Sequence, residues 1–416
     1  MSKLDFIVIG EGEESILELA RGECSRADIK GIAYRDGSRT ITTGVRPFTD
    51  VNTLPLPARH LIPLGRYRAL GMPISMTSSR GCPFHCIFCV GRKMVGAKVR
   101  YRNAGSVADE IQYLRTLGFH QINLADDLFT ANKKHCHDVC DEIIRRNLNV
   151  KWTSFARVDT VSTDVLVKMK AAGCQAVSFG IESANARILK TIKKGITLKQ
   201  VVDAINMCNT AGIMPHASFI LGLPGETPET IRETVDFGLE MKKLGLSYGF
   251  HLLAPFPGTE IRDRCDHYGI KIMTNDWSRY HANRAIVETP ATNQAMMDAI
   301  VIKWENEYNN ELDHIKKRIA TGEATAKEAE PLVNLERIIL IYDLMMDRMI
   351  EKRGTWHQTG PEADKDPLKT LASRLHASVN VPLDRIYITL KSAVEHNSLK
   401  LLRTGTEFRW EWVDYL

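Results

Sequence analysis

The stretch Ile74-Ser75-Met76-Thr77-Ser78-Ser79-Arg80-Gly81-Cys82-Pro83-Phe84-His85-Cys86-Ile87-Phe88-Cys89 runs a short strand into a loop that holds three cysteines. The spacing is C-x3-C-x2-C, with no fourth cysteine close by. Three thiolates can take three irons of a [4Fe–4S] cube, because soft sulfur ligands suit iron–sulfur clusters. One iron then stays open, able to bind a substrate and pass it an electron. A cluster used for electron transfer alone is normally closed by a fourth thiolate. Zinc is a competing reading of Cys82, Cys86 and Cys89, and a structural zinc wants four ligands. His85 is inside the run, but beside Cys86 it would be a strained fourth. Plain core cysteines are the third reading.

Outward from this loop, strand and helix signals alternate. Gln121–Leu124 is a strand ending in Asp126-Asp127, and Lys151–Phe155 ends in Arg157-Val158-Asp159. Ala176–Ile181 ends in Glu182-Ser183, and His216–Leu221 ends in Gly222-Leu223-Pro224-Gly225. Tyr248–Leu253 ends in Pro255-Phe256-Pro257-Gly258-Thr259. Apolar residues at helical spacing fill the intervals. Thr197 with Gln200 reads as a capping box, and Thr227-Pro228 as a helix start. With Ile74–Ser78 these make six β/α units, which imply a parallel sheet with helices outside. The polar residues gather just after each strand, the edge that carries chemistry in β/α barrels.

The C-x3-C-x2-C run, with an aromatic before its last cysteine, resembles the signature of the radical SAM superfamily. The resemblance implies an α/β fold: a partial (β/α)6, TIM-like barrel that curls without closing. It implies that the open iron is chelated by S-adenosylmethionine (SAM), which an electron from the cluster cleaves to a 5′-deoxyadenosyl radical. It also implies site residues. Asp126 or Asp127 sits where the family binds the SAM amino group; a helix N-cap is the alternative. Arg157 sits where a guanidinium can fork to the SAM carboxylate; a salt bridge with Asp159 is the alternative. Glu182 and Ser183 sit where the ribose hydroxyls are bound, with Gly180 allowing close approach. Ile220 and Gly222 belong to the strand that flanks the adenine. Phe88 covers the cluster or stacks near the adenine. Leu252 and Ala254 either line the other wall or are core.

The flanks are less explicit. Asp5–Gly10 reads as a buried strand, followed by a turn into a helix. Asp5-Phe6-Ile7-Val8-Ile9-Gly10-Glu11-Gly12-Glu13 resembles the last strand and turn of a cobalamin-binding domain found in one branch of the superfamily. The linker Leu54-Pro55-Leu56-Pro57-Ala58-Arg59 is similar to the join in that branch, as are Lys193-Lys194-Gly195-Ile196-Thr197 and Pro255-Phe256-Pro257-Gly258-Thr259. That branch includes anaerobic magnesium-protoporphyrin monomethyl ester cyclase, hopanoid-modifying enzymes and methylases of unactivated carbon. The D-x-H-x-x-G loop that ligates cobalt is not found in the sequence, so the cobalamin domain is expected to be truncated, with any cobalamin brought by a separate subunit. Three segments follow: residues 1–65 as a small α/β remnant and linker, 66–285 as the radical SAM core, and 286–416 as a mainly helical extension. There Met296–Leu312 and Leu332–Ile350 read as helices and 352–366 as a loop. The tail Glu407–Tyr415, aromatic at every second residue, is a terminal strand or a lid.

Composition narrows the partners. A net charge of +5 over 416 residues, with no basic patch interleaved with aromatics, gives no footprint for nucleic acid. A zinc-stabilised, nucleic-acid-binding protein is therefore the weaker alternative. No apolar run reaches the roughly 18 residues of a membrane span. Cluster thiolates imply a reducing, cytoplasmic compartment. Cys136 and Cys140 share a helix face and read as small core residues. The expectation is an enzyme that takes an electron from flavodoxin or ferredoxin and abstracts hydrogen from a carbon of a small or lipid-like metabolite. Methylation, cyclisation or rearrangement would follow.

Overall fold

The computed structural model describes residues 4–357 and 366–415. These form two units. The first takes the chain up to Pro55, Ser75–Arg115 and His120–Lys303. The second takes Leu56–Ile74, Thr116–Phe119 and the chain from Trp304 onward.

The first unit is built on six strands laid side by side in chain order: β1 (Ile74–Met76), β2 (Gln121–Leu124), β3 (Lys151–Ala156), β4 (Cys174–Glu182), β5 (Met214–Leu221) and β6 (Ser247–Leu252). The pairs from β2 to β6 are parallel. Parallel neighbours need a crossover, and five helices supply it: α1 (Ala104–Thr116), α2 (Lys133–Arg145), α3 (Thr163–Ala171), α4 (Leu198–Ala211) and α5 (Pro228–Lys243). Both expected helix starts hold. Thr197 and Gln200 form the capping box of α4, and Pro228 opens α5 behind Thr227.

The two faces of this sheet differ. One face carries Ile122, Leu124, Trp152, Val177, Phe179, Ala217, Phe219 and Leu221, all buried. The helices bury Val107, Ile111, Val139, Val165, Leu166, Val201 and Ile205. Each large side chain so buried contributes roughly 1.5–3 kcal/mol. The other face is polar and only partly covered. Phe155 pairs with Ser178, Ser178 with His216, and His216 with Ser247, forming one row across four strands. The next row toward the strand ends is nearly bare: Gly180, Ser218, Gly249. Phe155 is 47% exposed although it lies in the middle of a sheet strand.

The N-terminal segment departs from expectation. The apolar run at Asp5–Gly10 is a strand only over Phe6–Val8. It pairs with Ile32–Asp36, which pairs with Arg39–Thr42, in an antiparallel sheet. It is not buried: Phe6 is 40% exposed and Ile9 46%. The following helix, Glu13–Arg21, leaves Ile16 and Leu17 exposed as well. An apolar run signals a face to be covered, but it does not supply the cover.

The second unit contains helices Leu64–Leu70, Ala326–Met346, Met349–Arg353, Pro367–His376 and Leu383–Glu395. The long helix Gln294–Ala320 begins in the first unit and ends here. The helix expected from Leu332 starts earlier, at Ala326. There Thr325 and Glu328 form a capping box, and Pro331 is accommodated early in the helix. Residues 352–366 were expected to be a loop. Instead the helix runs to Arg353 and Thr355–His357 is a strand; 358–365 lie outside the described residues. The aromatic tail is a strand, Glu407–Trp412, between Thr355–His357 and Leu399–Thr404. Trp410 and Trp412 belong to the core of this unit, and Phe408, also buried, stacks on Trp356. Among the described residues no helix is long and apolar enough to cross a membrane.

Candidate functional site

The cysteine loop leaves β1 at the edge where the other strands end. Two separate anchors hold it. Upstream, Ser79 and Arg80 pair with Tyr101 and Arg100, and the Cys82 N–H donates to the Gly96 carbonyl at 3.1 Å. Downstream, Ile87 is buried, donates to the Ile192 carbonyl (3.2 Å) and accepts from Ile261 N–H (3.0 Å). Cys82, Cys86 and Cys89 are free thiols and none is fully buried. Burial pushes the Cys82 and Cys86 thiols up; Lys194 and Arg157 pull Cys86 back. Cys89 is close enough to both to raise them further. The Gly91 N–H donates to the Cys89 sulfur at 3.4 Å. Three neighbouring thiols beside two fixed cations and a backbone donor suit an anionic iron–sulfur cluster. Among the described residues, no three His, Cys, Asp or Glu side chains gather round a single ion. Corner ligands of a cube need not do so.

The strand-end residues take up definite positions. Asp126 is 2% exposed. Its Oδ1 accepts from Ser78 N–H (2.6 Å), and its Oδ2 accepts from the Ser78 and Ser79 hydroxyls (2.6 Å each). Burial pushes this carboxyl up and the serine donors pull it back. The N-cap of the following helix is Asn132, so neither aspartate takes that role. Asp127 is exposed, and its Oδ2 accepts from Gly81 N–H at 3.2 Å.

Arg157 is buried. It forks onto Asp159 through Nε and Nη2, both at 2.9 Å, and gives Nη2 also to the Lys194 carbonyl at 2.7 Å. The salt bridge foreseen as its alternative is therefore formed. Its guanidinium lies 3.6 Å from the centroid of Phe84, a cation–π contact at the root of the cysteine loop.

Glu182 has φ +72°, rare for a residue with a side chain. A bulge causes this: β5 passes from Ser218 opposite Gly180 to Phe219 opposite Glu182. The bulge re-aims the side chain, and Glu182 Oε1 accepts from Lys194 Nζ at 2.7 Å, with both groups buried. Ser183 is buried, within 3.3 Å of the Thr234 hydroxyl, and accepts from Asn185 N–H. Phe88 is half-buried, with Lys194 Nζ 5.9 Å from its ring centroid. Ile220 lies on the partly open face beside His251. Leu252 does not: it pairs with Leu221 on the packed face and is core.

Three residues of this region went unread in the sequence. Lys194 stands in Lys193-Lys194-Gly195-Ile196-Thr197, but no spacing links it to its partner Glu182 twelve residues back. Phe84 was passed over for Phe88. Glu226 is buried, and its Oε2 accepts from Gly222 N–H (2.7 Å) and Leu223 N–H (3.0 Å). Its Oε1 has no partner among the described residues. Burial pushes this carboxyl up to about 8 against the pull of the two backbone donors. Cys136 and Cys140 are buried core residues, as read.

The sequence matches the Radical SAM superfamily over residues 76–238, which takes in the cysteine loop and β2 to β5. That stretch is a radical SAM domain, and the family uses a [4Fe–4S] cluster and SAM. It is 35% identical to an uncharacterized methyltransferase of Pyrococcus horikoshii, over 67% of this chain and 61% of that one. It is 30% identical to the anaerobic magnesium-protoporphyrin IX monomethyl ester cyclase of Cereibacter sphaeroides, over 73% of this chain and 51% of that one. The chain thus spans between half and two thirds of these relatives. Among solved structures, the cobalamin-dependent radical SAM enzyme OxsB superposes on 94% of this chain and 68% of its own, with a TM-score of 0.64 at 17% identity. The radical SAM methyltransferase TsrM of Kitasatospora setae covers 65% of this chain and 57% of its own, with a TM-score of 0.55 at 23% identity. Both likenesses show the fold.

Proposed function

We propose that this chain cleaves one SAM reductively to methionine and a 5′-deoxyadenosyl radical that takes hydrogen from a carbon of a small, polar substrate, and that this carbon receives the methyl group of a second SAM, which leaves as S-adenosylhomocysteine. The observation that carries the reading is the open polar face of the sheet, which ends at the cysteine loop. Helices bury one face of β2 to β6, while the opposite one holds Asn123, Thr153, Ser178, His216, Ser218 and an exposed Phe155. A core that was merely structural would fill such a face with apolar side chains. We read this face as the lumen of a partial (β/α)6 barrel. Its lining favours a flat, hydrogen-bonding molecule over an aliphatic lipid chain.

Cys82, Cys86 and Cys89 would hold the cluster, with Lys194 and Arg157 as the cations beside it. Bound there, the cluster supplies an electron and SAM supplies the radical that takes hydrogen from carbon. Glu182, oriented by Lys194, would receive the ribose hydroxyls. Asp127, exposed at the edge of the loop, would receive the SAM amino group. Arg157, whose Nε and Nη2 are held by Asp159 and the Lys194 carbonyl, would offer its Nη1 to the carboxylate. Ile220 and the Gly222 turn, fixed by Glu226, would flank the adenine, and Phe88 would shield the cluster. The remaining residues exclude water and orient the substrate, leaving the hard chemistry to the cofactors.

Methyl transfer is favoured because methyltransferases recur among the relatives, including the one at 35% identity. Cyclisation is the second reading, favoured by the 30% identity to the cyclase. Cobalamin would be a further cofactor where the reaction uses it, and the reductant would be a flavodoxin or ferredoxin. The test is anaerobic reconstitution with iron and sulfide, then reduction and SAM, with and without hydroxocobalamin. S-Adenosylhomocysteine formed only with cobalamin supports methyl transfer. 5′-Deoxyadenosine without S-adenosylhomocysteine in either arm favours the cyclase type.

A further inference from the structure

We propose that Asp126 is a positioning residue for the cysteine loop rather than a ligand of SAM; this rests on the cluster reading of Cys82, Cys86 and Cys89. A buried carboxylate must be met by donors, and those that meet Asp126 come from the two residues that lead into the loop. Ser78 N–H, Ser78 Oγ–H and Ser79 Oγ–H all end on Asp126 at 2.6 Å. Ser78 and Ser79 are themselves buried.

The proton inventory extends this network by one residue. Ser78 Oγ has a single proton and gives it to Asp126. It must therefore accept at its 3.0 Å contact with His135 Nε2, which fixes the proton of the neutral imidazole on Nε2. His135 sits in the first turn of α2, its N–H donating to the Asn132 side chain and its ring 4.8 Å from that of Tyr101. Tyr101 in turn pairs with Ser79. The network thus ties the end of β2, the start of α2 and the entry to the loop into one buried unit.

Beyond it the chain has little freedom before the first cysteine. Gly81 has φ +119°, and a Cβ there would press on the Lys98 carbonyl. Its N–H is held by Asp127. Cys82 follows directly. Cys86 and Cys89 flank Ile87, which is anchored separately on Ile192 and Ile261. The position of Cys82 relative to the other two thiols is therefore set by the Asp126 network. Both oxygens of this carboxylate are engaged by the loop entry and the residue is 2% exposed, which withdraws it from a ligand ammonium.

The test uses the full chain, reconstituted anaerobically as wild type, Asp126→Asn, Asp126→Ala and Ser79→Ala. Iron and sulfide per chain, the EPR spectrum of the reduced cluster, its rate of loss to a chelator, and SAM affinity are all read. The proposal expects the variants to lose the cluster roughly ten-fold faster, as outer-shell changes at metal sites do. It also expects an altered EPR spectrum, with SAM affinity of the cluster-bearing fraction close to wild type. Wild-type iron content and spectrum with SAM affinity weakened about ten-fold or more, the loss of one charged hydrogen bond, would make Asp126 a SAM ligand and overturn the proposal. So would variants unchanged in every readout. If Asp126→Ala does not fold, Asp126→Asn and Ser79→Ala decide alone. A wild-type chain that takes up no iron overturns the cluster reading itself, and this proposal with it.

Discussion

The Glu182 carboxylate occupies the space where Gly180 lacks a side chain. A Cβ on Gly180 would run into Glu182 Oε1 and stand 2.9 Å from Lys194 Nζ. The glycine, the bulge and the ion pair are thus one device: the bare residue makes room, and the bulge turns the acid inward to meet Lys194. Removing one partner of a buried pair costs roughly 3–5 kcal/mol. Lys194→Ala should therefore lower stability by about that amount in urea titrations. Gly180→Ala should displace the pair and cut SAM cleavage at least about ten-fold. Because both act on the same contact, the double variant should lose less than the sum of the single losses. Full additivity would show that Gly180 and the pair are independent.

The cysteines separate by role. Cys82→Ala, Cys86→Ala and Cys89→Ala should each leave reconstituted protein with markedly less iron and without the cluster's visible absorption. Cys136→Ala and Cys140→Ala should bind iron normally and lose only packing stability, about 1 kcal/mol each. Iron analysis of the five variants checks this directly. Iron loss at Cys136 or Cys140 would contradict the assignment.

Trp152 and Phe155 lie on one strand and face opposite ways. Trp152 is 2% exposed, with its Nε1–H on the Ala172 carbonyl at 2.8 Å. Trp152→Ala should cost about 3–5 kcal/mol. Phe155→Ala should cost less than about 1 kcal/mol and should uncouple SAM cleavage from substrate modification. Equal destabilisation of the two variants would mean that the second face is packed after all.

Glu226 gives a pH signature. Its carboxyl is held at about 8 in the folded chain against an ordinary value of 4.5. The folded state therefore keeps a proton that the unfolded chain releases between those values. This contribution to stability is complete below about pH 4.5 and is lost as pH rises toward 8, by up to about 1.4 kcal/mol per pH unit. Denaturant unfolding at pH 5, 6.5 and 8.5 should show wild type weakening more than Glu226→Gln, whose side chain cannot ionise. Parallel declines would remove Glu226 as the source.

What was legible in the sequence was local. The cysteine spacing, the six strand ends and the Thr197–Gln200 cap depend on residues a few positions apart, so spacing alone finds them. The Glu182–Lys194 pair was not legible, since it needs a bulge and a positive φ that no spacing announces. Nor was the Arg157–Phe84 contact, which joins residues from distant parts of the chain. Asp126 was placed at the right strand end, but its partners Ser78 and Ser79 emerge only once β1 lies beside β2. The apolar strand near Phe6 was read as buried because hydrophobicity reports what wants cover, not whether cover exists. Pro331 and the strand at Thr355 were missed because the packing of the second unit overrode local propensity.

The most direct measurement is SAM turnover by the anaerobically reconstituted, dithionite-reduced full chain, with products followed by mass spectrometry against the three cysteine variants. We expect SAM to yield 5′-deoxyadenosine in the wild type, and none of it when Cys82, Cys86 or Cys89 is replaced by alanine. Wild-type protein shown to hold four irons, yet yielding neither 5′-deoxyadenosine nor S-adenosylhomocysteine with or without cobalamin, would contradict the assignment of a working radical SAM centre.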